Sequence, residues 1–139
     1  MSIQQTLTTS FKLGMVQAEQ NLATDTLKIA LYTAFSDIGP STLVYTTTNE
    51  IVGTGYTVGG EVLTGVTIAA STNGVVYINF DNVVWSPAAF TCRGALIYNS
   101  TKTNKSVAVL DFGSDKTSTN TFTITMPSNT ATTALLRFS

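Results

Sequence analysis

From Thr26 onward the apolar residues of this chain recur at every second position, and that period limits the fold more than any other feature. Leu27, Ile29 and Leu31 alternate with Lys28, Ala30 and Tyr32, and Phe122, Ile124 and Met126 alternate with Thr121, Thr123 and Thr125. Successive side chains of a strand point to opposite faces, so this spacing buries one face and leaves the other as a ladder of hydroxyls. The stretches between the runs are turn chemistry: Asp37-Ile38-Gly39-Pro40, Asn73-Gly74, Asp81-Asn82, Ser86-Pro87, and polar loops over 99–105 and 113–118. Asn73-Gly74 is a hairpin signal because both residues accept positive φ. Further strands are expected within Thr57–Ile68 (one or two), Val75–Phe80, Val83–Trp85, Thr91–Tyr98, Ser106–Phe112 and Ala134–Phe138, with Thr91–Tyr98 and Ser106–Phe112 paired as a hairpin in the core. Roughly eight or nine short strands at spacings of about 8–15 residues predict an all-β fold, a single antiparallel β-sandwich or jelly roll. A parallel α/β fold needs helices between its strands, and this sequence supplies none there.

The one expected helix precedes the strands. Phe11, Met15, Ala18 and Leu22 recur at helical spacing behind a serine or threonine cap. Gly14 weakens it, since an interior glycine costs about 1 kcal/mol relative to alanine. The apolar face can lie against its own domain or against a neighbouring chain, which makes Phe11 and Met15 candidate subunit-interface residues. The chain thus divides into an N-terminal arm and helix over 1–25 and a β domain over 26–139.

Composition narrows the function. Only 11% of the 139 residues are charged, where a soluble globular domain carries about 25%, so much of the surface is expected to be finished with hydroxyls or covered by partners. Seven Lys and Arg against eight Asp and Glu, with no basic run, disfavour nucleic acid as a partner. No histidine is present, which excludes Ser-His-Asp and Cys-His nucleophile systems within one chain. The single cysteine, Cys92, allows neither an intrachain disulfide nor a cysteine zinc site and reads as a small buried thiol. The first ten residues lack a positive start and an apolar stretch, and no apolar run approaches a membrane span. The expectation is a soluble protein made in the cytoplasm, without membrane partners. Asn99-Ser100-Thr101 and Asn104-Lys105-Ser106 match the glycosylation acceptor pattern but read as a polar turn.

No constellation carries catalysis. Gly53-Thr54-Gly55-Tyr56-Thr57-Val58-Gly59-Gly60 has the glycine density of a phosphate loop, but β-branched residues and Gly65 follow it instead of a helix. It reads as a β-connection with Tyr56 at its tip, packed inward or against a neighbouring subunit. Gly113-Ser114-Asp115-Lys116-Thr117 lacks the glycine that precedes the lysine of a phosphate loop. Asp111 and Asp115 with Ser114 do not follow the ligand order of a calcium loop, and Asp37, Asp81 and Asp115 sit in turn contexts. Asp81 near Trp85 is the one carboxylate with an aromatic suited to a sugar platform. Arg93, before Gly94 in an apolar strand, is either a buried arginine paired with a carboxylate or interface group, or an exposed residue at the strand start. Catalytic, cofactor and metal residues are therefore assigned to none.

Four blocks in order, Thr26–Tyr32, Gly53–Gly60, Arg93–Asn99 and Ala108–Gly113, give the chain a further character. From about Phe11 to Phe138 it resembles a family of small structural proteins of tailed bacteriophages. Members of that family often carry a histidine or aromatic residue near the end of the first helix, where this chain has Gln20-Asn21-Leu22. The resemblance implies a non-enzymatic virion component. The first expectation is a capsid cement or decoration protein on the capsid exterior, trimeric, with the major capsid protein as partner and Phe11, Met15, Tyr56 and Arg93 as candidate interface residues. A tail, baseplate or fibre component is the alternative, and a carbohydrate-binding or hydrolytic β domain is a third reading.

Overall fold

The computed structural model describes residues 2–138. Among them the chain is all-β with one short helix, and every strand pairing is antiparallel. In chain order the elements are β1 (Thr6–Leu7), α1 (Thr9–Val16), β2 (Leu27–Tyr32), β3 (Glu61–Val62), β4 (Thr67–Ala70), β5 (Val76–Asn79), β6 (Val83–Trp85), β7 (Phe90–Asn99), β8 (Lys105–Ser118), β9 (Phe122–Ile124) and β10 (Leu136–Phe138). One 3-10 turn, Ser100–Lys102, joins β7 to β8. The largest sheet runs β1-β8-β7-β2-β3; smaller sheets run β10-β5-β4 and β6-β9.

The period-two pattern does in β2 what the sequence asks, but on two sides at once. Leu27, Ile29 and Leu31 join the larger core, together with Ala95 and Ile97 of β7, Ile78 of β5, Val83 and Trp85 of β6, Ile124 of β9 and Leu136 of β10. Ala30 and Tyr32 point the other way and pack with Leu96, Tyr98, Val109, Ile3 and Ile38 in a second cluster. The main sheet is therefore covered on one face by the two small sheets and on the other by irregular chain, from residues near the N-terminus and from the loop after β2. This explains why β7 reads as a near-continuous apolar run: strands buried on both faces lose the polar alternation.

The N-terminal segment is woven into this arrangement. Thr6 and Leu7 pair with Val109 and Ala108 at the edge of the main sheet, and Phe11, fully buried, stacks on Phe138 with ring centroids 5.7 Å apart. The helix is shorter than the spacing predicts. Thr8 caps it by accepting the Phe11 N–H at 3.1 Å, and it ends when Ala18 enters the left-handed region at φ 58°. The Ala18 N–H then reaches the Met15 carbonyl and the Glu19 N–H the Gly14 carbonyl, the paired bonds of a Schellman ending. Leu22 is buried as an anchor beyond the helix rather than as its last turn.

Two loops also differ from expectation. The segment 113–118, read as a loop, continues β8, with Thr91 opposite Thr117 and Cys92 opposite Lys116. The side chains of Ser114, Asp115, Lys116 and Thr117 are exposed and only Ser118 is buried, its hydroxyl donating to the Ala88 carbonyl at 2.9 Å, so no apolar period announces the segment while its backbone is held by β7. At Asn73-Gly74 the hairpin forms between β4 and β5, but only Gly74 has positive φ, at 85°. The Ser71 N–H bonds the Val75 carbonyl at 2.8 Å, which makes a three-residue loop with a glycine bulge instead of a two-residue turn.

Candidate functional site

The glycine-rich connection folds around a carboxylate. Ile51 donates its N–H to the Leu31 carbonyl at 3.0 Å and Glu50 bridges to Tyr32, so the chain leaving this short pairing carries the Glu50 side chain, only 9% exposed, inward beside the end of β2. One carboxylate oxygen accepts the Tyr45 hydroxyl at 2.6 Å. The other accepts the Tyr56 hydroxyl and the Gly59 N–H, the latter at 2.8 Å. The Tyr56 oxygen in turn accepts the Leu31 N–H at 3.0 Å, and Tyr98 donates to the Gly59 carbonyl at 2.6 Å. Tyr45 stacks on Tyr98 with centroids 4.6 Å apart. Four of the five tyrosines thus gather around Glu50, since Tyr32 packs in the same cluster and donates to the Thr46 carbonyl at 2.6 Å.

The glycines are required by close approach, not by a ligand. A Cβ on Gly60, at φ 80°, would lie 1.8 Å from the Ile29 carbonyl oxygen, and one on Gly55, at φ 84°, 1.8 Å from that of Pro87. The loop is pressed against β2 on one side and the Pro87 chain on the other, leaving no cradle for a phosphate.

The electrostatics are those of a lock. Burial, then the Glu50 carboxylate, pushes Tyr98 up to about 12. The same two causes, burial first, push Tyr32, Tyr45 and Tyr56 well above the ordinary phenol range. At neutral pH these hydroxyls keep their protons and the carboxylate has its donors close around it. This arrangement holds a loop.

The four candidate interface residues are dispersed. Phe11 lies within the core of its own chain and presents no surface to a neighbour. Met15 is 38% exposed on the rim of a groove of about 340 Å³ floored by Leu22, Ile78 and Phe138. Tyr56 packs inward, its ring 6.5 Å from Trp85 and 6.0 Å from Phe90. Arg93 falls where the β7–β8 register slips between Cys92 and Gly94, with its Nε 3.6 Å from an Asp111 oxygen, both side chains about one-third exposed. It is therefore an ion-paired residue at the sheet surface, between the two readings its sequence allowed. Trp85 is 2% exposed and cannot serve as a sugar platform beside Asp81. Among the described residues no group of three or more His, Cys, Asp or Glu is arranged to hold a metal.

A second polar cluster escaped the sequence reading. Asn99, fully buried, donates to Gln20 at 3.1 Å and to Asp25 at 2.8 Å, and accepts the N–H groups of Thr101 and Lys102. All four of its hydrogen-bonding positions are filled, so the acceptor pattern at Asn99 is a structural joint between the N-terminal segment and the β7–β8 connection. Gln20 also donates to the Ser106 carbonyl at 3.4 Å. Burial raises the Asp25 carboxyl, but the Asn21 N–H, the Asn99 amide and Lys102 together hold it below its ordinary value.

Neither a family model, nor a curated protein, nor a solved structure matches the chain.

Proposed function

We propose that this protein is a non-enzymatic structural subunit of a tailed-phage virion, a cement or decoration protein that binds the capsid exterior as a trimer and stabilises the lattice of the major capsid protein. One observation carries the reading: on a surface with few charges the chain exposes large apolar side chains almost completely, with Val52 at 92%, Val16 at 86% and Phe35 at 81%. Apolar groups presented in this way gain from burial between subunits, at about 25 cal/mol per Å² removed from water. The Glu50 lock supports it, because a rigid loop spends little conformational entropy when it docks. Each copy need add only an interface of ordinary size, on the order of 1,600 Å², since the shell repeats it. The block-wise resemblance to small phage structural proteins points the same way.

The test is stoichiometry. Quantitative mass spectrometry of purified particles is expected to find the protein at a ratio to the major capsid protein set by the lattice. A handful of copies per particle reassigns it to the tail, baseplate or fibre, and its absence from particles overturns the virion reading. A carbohydrate-binding role predicts a change in tyrosine or tryptophan fluorescence on adding host polysaccharide; with Trp85 buried in the core, no such change is expected.

A further inference from the structure

We propose that Asn73 is a self-modification site, converting spontaneously to an aspartyl or isoaspartyl residue through a succinimide. The chemistry needs an asparagine side chain free to turn onto the next backbone nitrogen, and a following residue with no Cβ to obstruct it. Of the nine asparagines only Asn73 is followed by glycine. Asn73 and Gly74 are both exposed at the tip of the β4–β5 hairpin. A Cβ placed on Gly74 would meet nothing within 4 Å beyond its chain neighbours, so no other part of the fold crowds the tip. Its own hydrogen bond, to the Ser71 carbonyl, is long at 3.4 Å.

Other asparagines are restrained. Asn79 is buried and donates to the Pro127 carbonyl at 2.6 Å, and Asn99 has every hydrogen-bonding position filled. The Asn82 side-chain oxygen accepts the Met126 N–H, the Asn21 side-chain oxygen that of Ala23, and the Asn49 side-chain amide donates to the Phe35 carbonyl. Asn120 and Asn129 are followed by threonine, whose β-branch hinders attack by its own backbone nitrogen on the asparagine Cγ, and Asn104 by lysine.

The step balances without any cofactor or redox change. The Gly74 nitrogen loses its proton to water or hydroxide and attacks Cγ of Asn73; the N–Cγ bond forms and the Cγ–Nδ2 bond breaks. Nδ2 leaves as ammonia after taking a proton from water. Water then opens the five-membered ring at either carbonyl. Opening at one restores the normal backbone as an aspartyl residue, and opening at the other routes the chain through the side-chain carbon as isoaspartyl. Either product adds one negative charge at the hairpin tip of a chain whose formal net charge is −1. The inference does not depend on the virion reading.

The full-length protein, incubated folded at mildly alkaline pH, is followed by peptide mapping with mass spectrometry and an isoaspartate-specific methylation assay. An unstructured peptide spanning residues 69–77 and the variants Asn73→Ser and Gly74→Ala are treated alongside. Conversion is expected at position 73 several-fold faster than at any other asparagine, with isoaspartate in the product and no methylation signal from Asn73→Ser. Gly74→Ala strains the turn, so Asn73→Ser, which keeps Gly74, is the deciding variant. Conversion that begins at another asparagine overturns the proposal. So does a folded protein that stays intact at position 73 while the peptide converts, because the hairpin would then be protecting the site.

Discussion

Glu50 and Tyr45 are joined by a 2.6 Å hydrogen bond from phenol to carboxylate, and the same carboxylate holds Tyr56 and the Gly59 N–H. One side chain therefore fixes the loop after β2 at three points. Glu50→Ala leaves two phenols and an amide without an acceptor, and at about 1–3 kcal/mol for each buried orphan the total loss is expected to be on the order of 3–5 kcal/mol, the scale of removing one partner from a buried charged network. Tyr45→Phe removes one donor and strands no backbone group, so about 1–2 kcal/mol is expected. Urea unfolding of both single variants and the double variant should show strong coupling. Additive effects, or a Glu50→Ala cost below about 1 kcal/mol, would show that the cluster is not a unit.

The same tyrosines set an alkaline limit. Folded phenols at Tyr32, Tyr45, Tyr56 and Tyr98 are raised by burial and by Glu50, Tyr98 to about 12, whereas unfolded phenols ionise near pH 10. The unfolded state thus sheds protons first. Stability contributed by the protonated phenols is complete below about pH 10 and is lost as pH rises through the folded values. Chemical denaturation midpoints should fall from pH 10 upward, and phenolate absorbance should rise together with unfolding. Smooth titration of all the tyrosines near pH 10 in the folded protein would contradict the lock.

Cys92 is 1% exposed, and its thiol is pushed up to about 12 by burial and by Asp115. Since the thiolate is the reactive form, a disulfide reagent is expected to label the native protein only as fast as it opens. Labelling in denaturant should be faster by orders of magnitude. Rapid native labelling at neutral pH would mean that the β7 end of the sheet is open in solution.

How far these features could be read from the sequence depends on whether they are local. The core hairpin of β7 and β8 was legible because Cys92, Leu96 and Ile97 on one strand and Val107 and Val109 on the other leave no choice but burial. The end of α1 was not: Leu22 sits at helical spacing, and the left-handed residue that closes the helix is Ala18 rather than the glycine or asparagine that would have announced it. Strand residues 113–118 were missed because their partner, Phe90–Cys92, supplies the order. Tyr56 could be placed at the tip of a glycine-rich connection, yet its inward direction is decided by Glu50, whose burial depends on Tyr32 and Tyr45 arriving from elsewhere. Asn99 looked like a turn residue because nothing in its neighbourhood forecasts Gln20 and Asp25 as partners.

Thr103 offers the sharpest test of stored backbone strain. The connection from β7 to β8 passes through Thr103 at φ 54° and Asn104 at φ 61°, the left-handed region that asparagine tolerates and a β-branched residue resists. The Thr103 hydroxyl bonds the Lys102 carbonyl at 2.7 Å, which offsets little, since both groups sit at an exposed turn. Thr103→Gly removes the Cβ clash but loosens the unfolded chain, whereas Thr103→Asn lowers the strain at smaller entropic cost. Both are expected to stabilise, by roughly 0.5–1 kcal/mol, with asparagine at least equal to glycine. Ala18→Gly at the helix ending should gain a similar amount for the same reason. The two connections are linked through Asn99 to Gln20 and Asp25 and through Lys105 to Glu19, so thermal unfolding of the double variant measures how far the increments couple. A loss of stability in Thr103→Asn would place the strain elsewhere and make the threonine hydroxyl the feature that holds the turn.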